Sequence, residues 1–181
     1  MPTTNGYEDA LDRVRSAVET AEPAFGAFFL ARFLNLDISY DDDQQTCTVR
    51  LPYATYLCNP QGSMHGGVIT TAMDISMGHL CHRFLSTAVT IEMQQRFFRP
   101  LTGPGRCEGR LLRPGRRIVH LESRMYDDKD ELVASSTGSW YRLDLPAPSG
   151  RPAGETRPSP DRPLEHTDQV FPPDRGKVRH A

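Results

Sequence analysis

The feature that most constrains this chain is a run without charged side chains on either side of a single carboxylate, covering residues 68–80. Apolar or small residues fill nearly every other position, and two glycines, Gly66 and Gly67, precede the run. A helix that is apolar on almost all sides is stable only when other elements surround it. The sequence therefore predicts a central, buried helix over about residues 66–84.

Shorter patterns on both sides predict what surrounds this helix. Helical spacing covers residues 7–20, and a second apolar run covers residues 25–34. The predicted strands cover residues 36–40, 46–51, 88–99, 105–113, 116–126 and 131–142. One long helix with five or six antiparallel strands is typical of an α+β layer fold.

Composition divides the chain into three parts. Residues 1–34 are predicted to form a helical segment packed on the main domain, which covers residues 35–145. Residues 146–181 contain eight prolines and only four bulky apolar residues. Such a segment buries too little apolar surface to offset the entropy of ordering it, so we expect a disordered or loosely draped tail.

Charge and cysteine content exclude several classes of function. The net charge of −2 provides no basic surface for nucleic acid. The four cysteines lack the spacing of a zinc site or a disulfide framework, and His79 and His82 have no evident further ligands, so neither a metal nor another cofactor is expected. No apolar run is long enough to span a membrane, and residues 1–6 lack the pattern of a secretory signal. These features favour a cytoplasmic protein.

The start of the predicted helix has the chemistry of an anion site. Glycines leave the first amide N–H groups of a helix uncovered by any Cβ, and such groups bind an anion or a developing oxyanion. Asp74 lies in the middle of the helix, where a buried carboxylate needs a partner or a catalytic task. Taken singly, each feature is also explained by a tight turn or by a satisfied core residue.

Asn59, the triplet His65-Gly66-Gly67 and Asp74 together resemble the signature of hotdog-fold acyl-CoA thioesterases of the phenylacetate-degradation type. The resemblance covers about residues 35–143. Weaker strand motifs that continue it lie at residues 88–93, 96–100, 113–117 and 131–137. It implies a hotdog fold, in which an antiparallel sheet wraps the long helix, and hydrolysis of an acyl-CoA thioester.

The expected role of each residue follows from what thioester hydrolysis needs. The amides of Gly66 and Gly67 are suited to polarising the carbonyl, and Asp74 to acting as general base or as nucleophile. The Asn59 amide is suited to holding the water or the carbonyl. The resemblance adds a hydroxyl near the attacking water at Thr90. The candidate substrate-binding residues are His65, which is expected to fix the turn, together with Phe97, Arg116 and Arg117.

The spacing along the helix predicts a dimer. Gly67 and Asp74 are seven residues apart, or about 10 Å along a helix axis. A reacting carbonyl must lie about 3 Å from both groups. Two helices related by a two-fold axis satisfy this requirement if each Asp74 faces the glycines of the partner. We therefore expect a homodimer or a dimer of dimers with composite sites.

Three alternatives stay open at this stage. The chain can be a non-catalytic acyl-CoA-binding regulatory module, although binding alone needs no carboxylate at the carbonyl. It can be a hotdog hydratase or dehydratase, in which Asp is expected to act with a histidine such as His79. Its thioester can also be bound to a carrier protein in place of coenzyme A.

A cluster of four phenylalanines either lines an acyl pocket or packs the N-terminal segment: Phe25, Phe28, Phe29 and Phe33.

Overall fold

The structure is a computed structural model that describes residues 5–143. Its helices are α1 (Asn5–Thr20), α2 (Phe29–Phe33) and α3 (Gly66–Phe84), with a short 3-10 turn at Thr55–Leu57. Its strands are β1 (Asp37–Asp41), β2 (Thr46–Leu51), β3 (Ala88–Phe97), β4 (Gly105–Arg113), β5 (Ile118–Asp127) and β6 (Leu132–Arg142). These elements confirm the predicted α+β class.

The six strands form one antiparallel sheet in the order β1-β2-β4-β5-β6-β3. Consecutive strands β4, β5 and β6 are neighbours, as short turns favour. The strand that follows α3 joins the sheet at the far side, so β3 and β1 form its two edges. The central helix packs on one face of this sheet, and its apolar side chains form most of the buried core with side chains of β2, β4, β5 and β6.

Small residues let α3 approach the sheet closely. A Cβ built on Gly109 of β4 would lie 2.9 Å from the backbone oxygen of Ser76 in α3. Beside it, the Ser76 hydroxyl donates to the Met73 carbonyl and lies 2.8 Å from the hydroxyl of Ser123 in β5. The helix position is therefore fixed by contact between backbones as well as by the apolar core.

The N-terminal segment packs on the far side of α3 from β3. The ring of Phe25 stacks on His82 with 3.7 Å between ring centroids, and it meets the edge of His79. Phe28 also contacts His79, and Phe33 contacts Tyr56. These rings therefore pack the segment onto the domain, which was one of the two roles predicted for the phenylalanine cluster.

Three further expectations from the sequence concern the tail, the cysteines and membrane-spanning helices. Residues 146–181, the predicted tail, lie outside the described residues, so the division of the chain into three parts stays a prediction. All four cysteines are free thiols. Between residues 5 and 143 no helix is both long and apolar enough to cross a membrane.

Candidate active site

Residues 58–65 lead the chain into α3 through a hydrogen-bonded loop. Cys58 and Met64 form an antiparallel bridge, and the His65 amide donates to the Leu57 carbonyl. His65 is the N-cap residue of α3, in an extended conformation with φ −62° and ψ 135°. The ends of this loop are thus fixed, and the first amides of the helix occupy a defined position.

His65 determines which of the two glycine amides is open. Its Nδ1 accepts a hydrogen bond of 2.9 Å from the Gly67 N–H. The ring therefore caps the helix in the way that Ser or Asp commonly does. In this structure the Gly67 N–H is therefore occupied by His65, and its role at the carbonyl stays a prediction. The Gly66 N–H has no hydrogen-bond partner among the described residues and remains the open donor at the positive end of the helix dipole.

Asn59 lies in the same loop, with its side chain folded into a local turn. Its Oδ1 accepts from the amides of Gln61 and Ser63, and its Nδ2 donates to the Ser63 hydroxyl at 2.9 Å. Gly62 completes the turn with a φ of 85°. Because an amide nitrogen has two hydrogens, Asn59 keeps one donor beyond this turn. Sequence reasoning missed Ser63, although an Asn followed by Gly and Ser within four residues is a turn signal.

A cleft of about 370 Å³ opens between this loop, the start of α3 and the end of β3. Its wall includes Asn59, Gly66, Ile69 and Phe97, and the rest of the lining is Ser63, Met64, Phe98, Arg99, Pro100 and Leu101. The Phe97 ring covers the first residue of the helix, since a Cβ built on Gly66 would lie 3.4 Å from its Cζ. The structure therefore brings together three of the predicted site residues in one concave surface.

Asp74 lies two turns further along α3 and faces β3. Its Oδ1 accepts a hydrogen bond of 2.9 Å from the Thr90 hydroxyl. Burial raises the pKa of the Asp74 carboxyl, and the hydrogen bond from Thr90 opposes this by lowering it. A partly buried carboxylate with a raised pKa, held by a single hydroxyl, is suited to accepting a proton from water.

The two halves of the site are separated within one chain. Gly66 and Asp74 are eight residues apart in the same helix, which corresponds to about 12 Å along its axis. One carbonyl cannot contact both groups at that separation. Close to Asp74, β3 is an edge strand of the sheet and has exposed apolar side chains at Val89 (43%) and Ile91 (55%).

Arg116 and Arg117 lie away from the cleft. They are exposed in the turn between β4 and β5, where the Arg117 carbonyl accepts from the Arg142 amide. Arg142 pairs with Ala88 at the beginning of β3, so this turn lies toward the Thr90 end of the strand. Within one chain the structure does not bring either arginine to Gly66.

His79 is not part of the cleft. Its Nδ1 lies 2.7 Å from the Tyr40 hydroxyl of β1, at the sheet edge opposite the strand that carries Thr90. Burial lowers the pKa of His79 to about 4, with a smaller contribution from His82. A hydrogen bond to His79 in the cleft would have favoured the hydratase alternative, but this histidine faces the N-terminal segment.

Nowhere in residues 5–143 do three His, Cys, Asp or Glu side chains form a group that would hold a metal ion.

Comparison with known proteins identifies the chain as a thioester hydrolase with a hotdog fold. A family model described as the thioesterase superfamily matches residues 61–134, which include Gly66, Asp74 and Thr90. A Saccharolobus solfataricus protein named "Putative esterase SSO2140" is 30% identical over 140 residues, which cover 75% of this chain and 94% of that protein. The chain belongs to the thioesterase superfamily.

Solved structures agree with this assignment. BH2602 from Bacillus halodurans, determined with CoA, matches with a TM-score of 0.70 and 26% identity, over 79% of this chain and 97% of that chain. The PaaI protein of the Escherichia coli phenylacetic acid degradation operon shares the fold, with a TM-score of 0.61 and 19% identity over 72% and 96% of the two chains. The predicted hotdog fold and thioesterase family are thereby confirmed.

Proposed function

We propose that this chain hydrolyses acyl-CoA thioesters at composite sites, each formed by Asp74 of one subunit and Gly66 of another. The observation that carries the proposal is the contact between Asp74 and Thr90. It gives a partly buried carboxylate one hydroxyl partner and no cation among the contacts of the described residues. A carboxylate held in this way is suited to chemistry more than to stability.

The carbonyl oxygen of the thioester accepts from the Gly66 N–H. This amide is open in the structure, lies at a helix N-terminus and lines the cleft beside Asn59. An amide fixed by the fold stabilises the developing oxyanion without reorganisation. The second hydrogen on the Asn59 Nδ2 is available to the same oxygen or to the attacking water. His65 supports this arrangement by capping the helix through Gly67.

Asp74 acts in its ionised form in either of two routes. As a general base it takes a proton from water while the water oxygen bonds to the carbonyl carbon; the C–S bond then breaks, the proton passes from Asp74 to the leaving sulfur, and coenzyme A and a carboxylic acid are released. As a nucleophile its carboxylate oxygen bonds to the carbonyl carbon and the C–S bond breaks, which gives an anhydride and the thiolate; water then cleaves the anhydride to two carboxyl groups, and the proton on Asp74 passes to the thiolate. In both routes the Thr90 hydroxyl orients the carboxylate.

Coenzyme A is proposed as the thiol carrier on the strength of a relative. BH2602 from Bacillus halodurans, which is 26% identical to this chain, was determined with CoA. In this chain the exposed guanidinium groups of Arg116 and Arg117 are candidates for the nucleotide phosphates, since arginine pairs with phosphate in two-pronged fashion. They lie toward the Thr90 end of β3, so they would serve the half-site of Asp74.

Assembly through the edge strand β3 is proposed to complete each site. An unpaired edge with exposed Val89 and Ile91 is suited to pairing with a second copy. Pairing of two β3 strands about a two-fold axis brings the helices α3 of both chains together in opposite directions. Asp74 of one chain then approaches Gly66 of its partner. A dimer of dimers is compatible with this arrangement.

The test is thiol release from a panel of short, long and aromatic acyl-CoAs. The panel is assayed with the wild type, with Asp74→Asn, and with Asp43→Asn as the matched control at an exposed position outside the site. Hydrolysis that falls by at least about a hundredfold in Asp74→Asn and is unchanged in Asp43→Asn supports the proposal. Equal hydrolysis by the wild type and Asp74→Asn would contradict it.

A further inference from the structure

The end of β4 and the turn that follows it carry three arginines without a partner. Arg113, Arg116 and Arg117 are exposed, and none of their side chains forms a hydrogen bond or an ion pair within residues 5–143. No aspartate or glutamate occurs in residues 109–121. This part of the chain is therefore a local excess of positive charge, although the net charge of the whole chain is −2.

Other arginines on the same face of the sheet, the face turned away from α3, have acidic partners. Three of them bond to an acid: Arg106 to Asp130, Arg110 to Glu108 and Arg124 to Glu122. The row of paired residues that contains Arg113 reaches an acid at Glu92, which lies three strands or about 14 Å away. The Glu92 carboxylate already accepts from the Ser139 hydroxyl. The pairing of charges along β4 and β5 thus stops before Arg113.

Exposed apolar side chains flank these arginines. Leu112 is 53% exposed and Ile118 is 44% exposed, and the basic residues lie between them in the sequence. Ile118 is opposite Tyr141, which is opposite Val89, so exposed apolar side chains continue for about 10 Å across three strands. Basic and apolar groups therefore share one surface. Its central residues, here called the hairpin surface, are Leu112, Arg113, Arg116, Arg117 and Ile118.

Backbone hydrogen bonds fix the shape of this hairpin. The Gly115 amide donates to the Arg113 carbonyl at 3.1 Å. Arg142 of β6 donates from its amide to the Arg117 carbonyl at 2.8 Å and from its guanidinium to the Gly115 carbonyl at 3.4 Å. Because the backbone is already ordered, a partner that binds the hairpin surface loses little affinity to ordering it.

We propose that the hairpin surface docks this protein on a membrane that contains anionic lipids. Anionic headgroups supply the charge that the arginines lack, and aliphatic side chains such as Leu112 and Ile118 enter the boundary between headgroups and acyl chains. A lipid surface therefore supplies both chemistries together. Arg116 and Arg117 are also candidates for the phosphates of coenzyme A, but a nucleotide gives the two aliphatic side chains no role.

The experiment sediments the full chain with vesicles of phosphatidylcholine alone and with vesicles that also contain phosphatidylglycerol. Each arginine close to an anionic surface strengthens binding about fivefold, so three should give the wild type a preference of about a hundredfold for the anionic vesicles. The double variant Leu112→Gln/Ile118→Gln is expected to bind the anionic vesicles at least about tenfold more weakly. Leu11→Gln is the matched control, because Leu11 is an exposed leucine of α1 outside the hairpin surface. It should bind like the wild type.

Two triple variants separate charge from geometry. Arg113→Gln/Arg116→Gln/Arg117→Gln is expected to lose most of the preference for anionic vesicles. Arg113→Lys/Arg116→Lys/Arg117→Lys keeps the charge and loses the two-pronged pairing of guanidinium with phosphate, so it should bind within about threefold of the wild type. Because all the substituted positions are exposed, every variant should keep the Tm of the wild type in a thermal scan.

Three outcomes would overturn the proposal. The first is equal binding of the wild type to both kinds of vesicle. The second is undiminished binding of Leu112→Gln/Ile118→Gln, which would assign the arginines to a phosphate ligand or to an acidic protein. The third is loss of binding in the triple lysine variant, because a fluid anionic surface does not require guanidinium geometry. Binding is measured without catalysis, so a chain that hydrolysed no acyl-CoA would refute the proposed function and leave this test intact.

Discussion

The hydrogen bond between Thr90 and Asp74 predicts how the proposed hydrolysis depends on pH. Thr90→Val removes the hydroxyl that donates to the Asp74 Oδ1 at 2.9 Å and keeps the side-chain volume. The hydrogen bond favours the ionised carboxylate and therefore lowers a pKa that burial has raised. Its loss raises the pKa of Asp74 further. Because both catalytic routes need the ionised form, the rising limb of activity moves to higher pH.

The size of the shift follows from the strength of the bond. A hydrogen bond to a charged group contributes about 1.5–3 kcal/mol when desolvated, and Thr90 is exposed in the single chain, so about 1 kcal/mol is the better figure here. This corresponds to a shift of about 0.7 pH unit.

The assay is kcat/KM for acyl-CoA hydrolysis as a function of pH, measured for the wild type, Thr90→Val and Thr90→Ser. The serine variant keeps the hydroxyl, so its limb should remain within about 0.2 pH unit of the wild type. If the limb of Thr90→Val stayed in place or moved to lower pH, Thr90 would not be the group that tunes Asp74, and the reasoning would be refuted.

Two predictions concern stability. Burial raises the pKa of Asp74 in the folded state above its value in the unfolded chain. The ionised Asp74 therefore destabilises the folded protein at a pH above the folded-state pKa, and it has no such effect at a pH below the unfolded-state pKa. In thermal scans, Asp74→Asn should therefore raise the Tm by about 1–3 °C at about pH 8 and leave the Tm unchanged at about pH 3. An equal rise in Tm at both pH values would contradict this prediction. Gly109→Ala places a Cβ 2.9 Å from the Ser76 backbone oxygen and should lower the free energy of unfolding by about 1–3 kcal/mol in urea titrations, whereas an unchanged midpoint would show that the helix moves freely.

The central helix was predictable because its signal is strong and local. The uncharged run and the preceding glycines predicted residues 66–84, and the structure places α3 at Gly66–Phe84. Strand positions followed from alternation and turn residues in the same way. The second helix is shorter than its apolar run, since residues 24–28 form turns that place Phe25 and Phe28 on His79.

The details of the site were less predictable because they depend on tertiary contacts. The capture of the Gly67 amide by the His65 ring depends on a side-chain orientation that no spacing specifies. The burial of the Gln95 side chain in β3, whose amide has no hydrogen-bond partner among the described residues, depends on strand register, including the irregularity between Thr90 and Glu92. One residue more or less at that point would turn Gln95 toward the other face.

The most direct test of the composite site is complementation between two defective variants. Asp74→Asn lacks the carboxylate. Gly66→Pro removes the open N–H and keeps the helix start, since proline is accepted at the first helical position and the extended conformation of His65 suits a residue before proline. Gly66→Ala is the matched control, because it keeps the N–H and its Cβ would make an ordinary contact of 3.4 Å with Phe97. It should retain activity.

The two inactive variants are mixed, dissociated and reassembled, and thiol release from the best acyl-CoA is measured. In a mixed dimer one site carries both defects and the other carries none. Random mixing makes half of the dimers mixed, and each mixed dimer has one intact site out of two. Composite sites therefore predict recovery of about a quarter of the wild-type specific activity. If the reassembled mixture formed mixed dimers and stayed inactive, each site would draw Asp74 and Gly66 from the same chain, and the composite site would be contradicted.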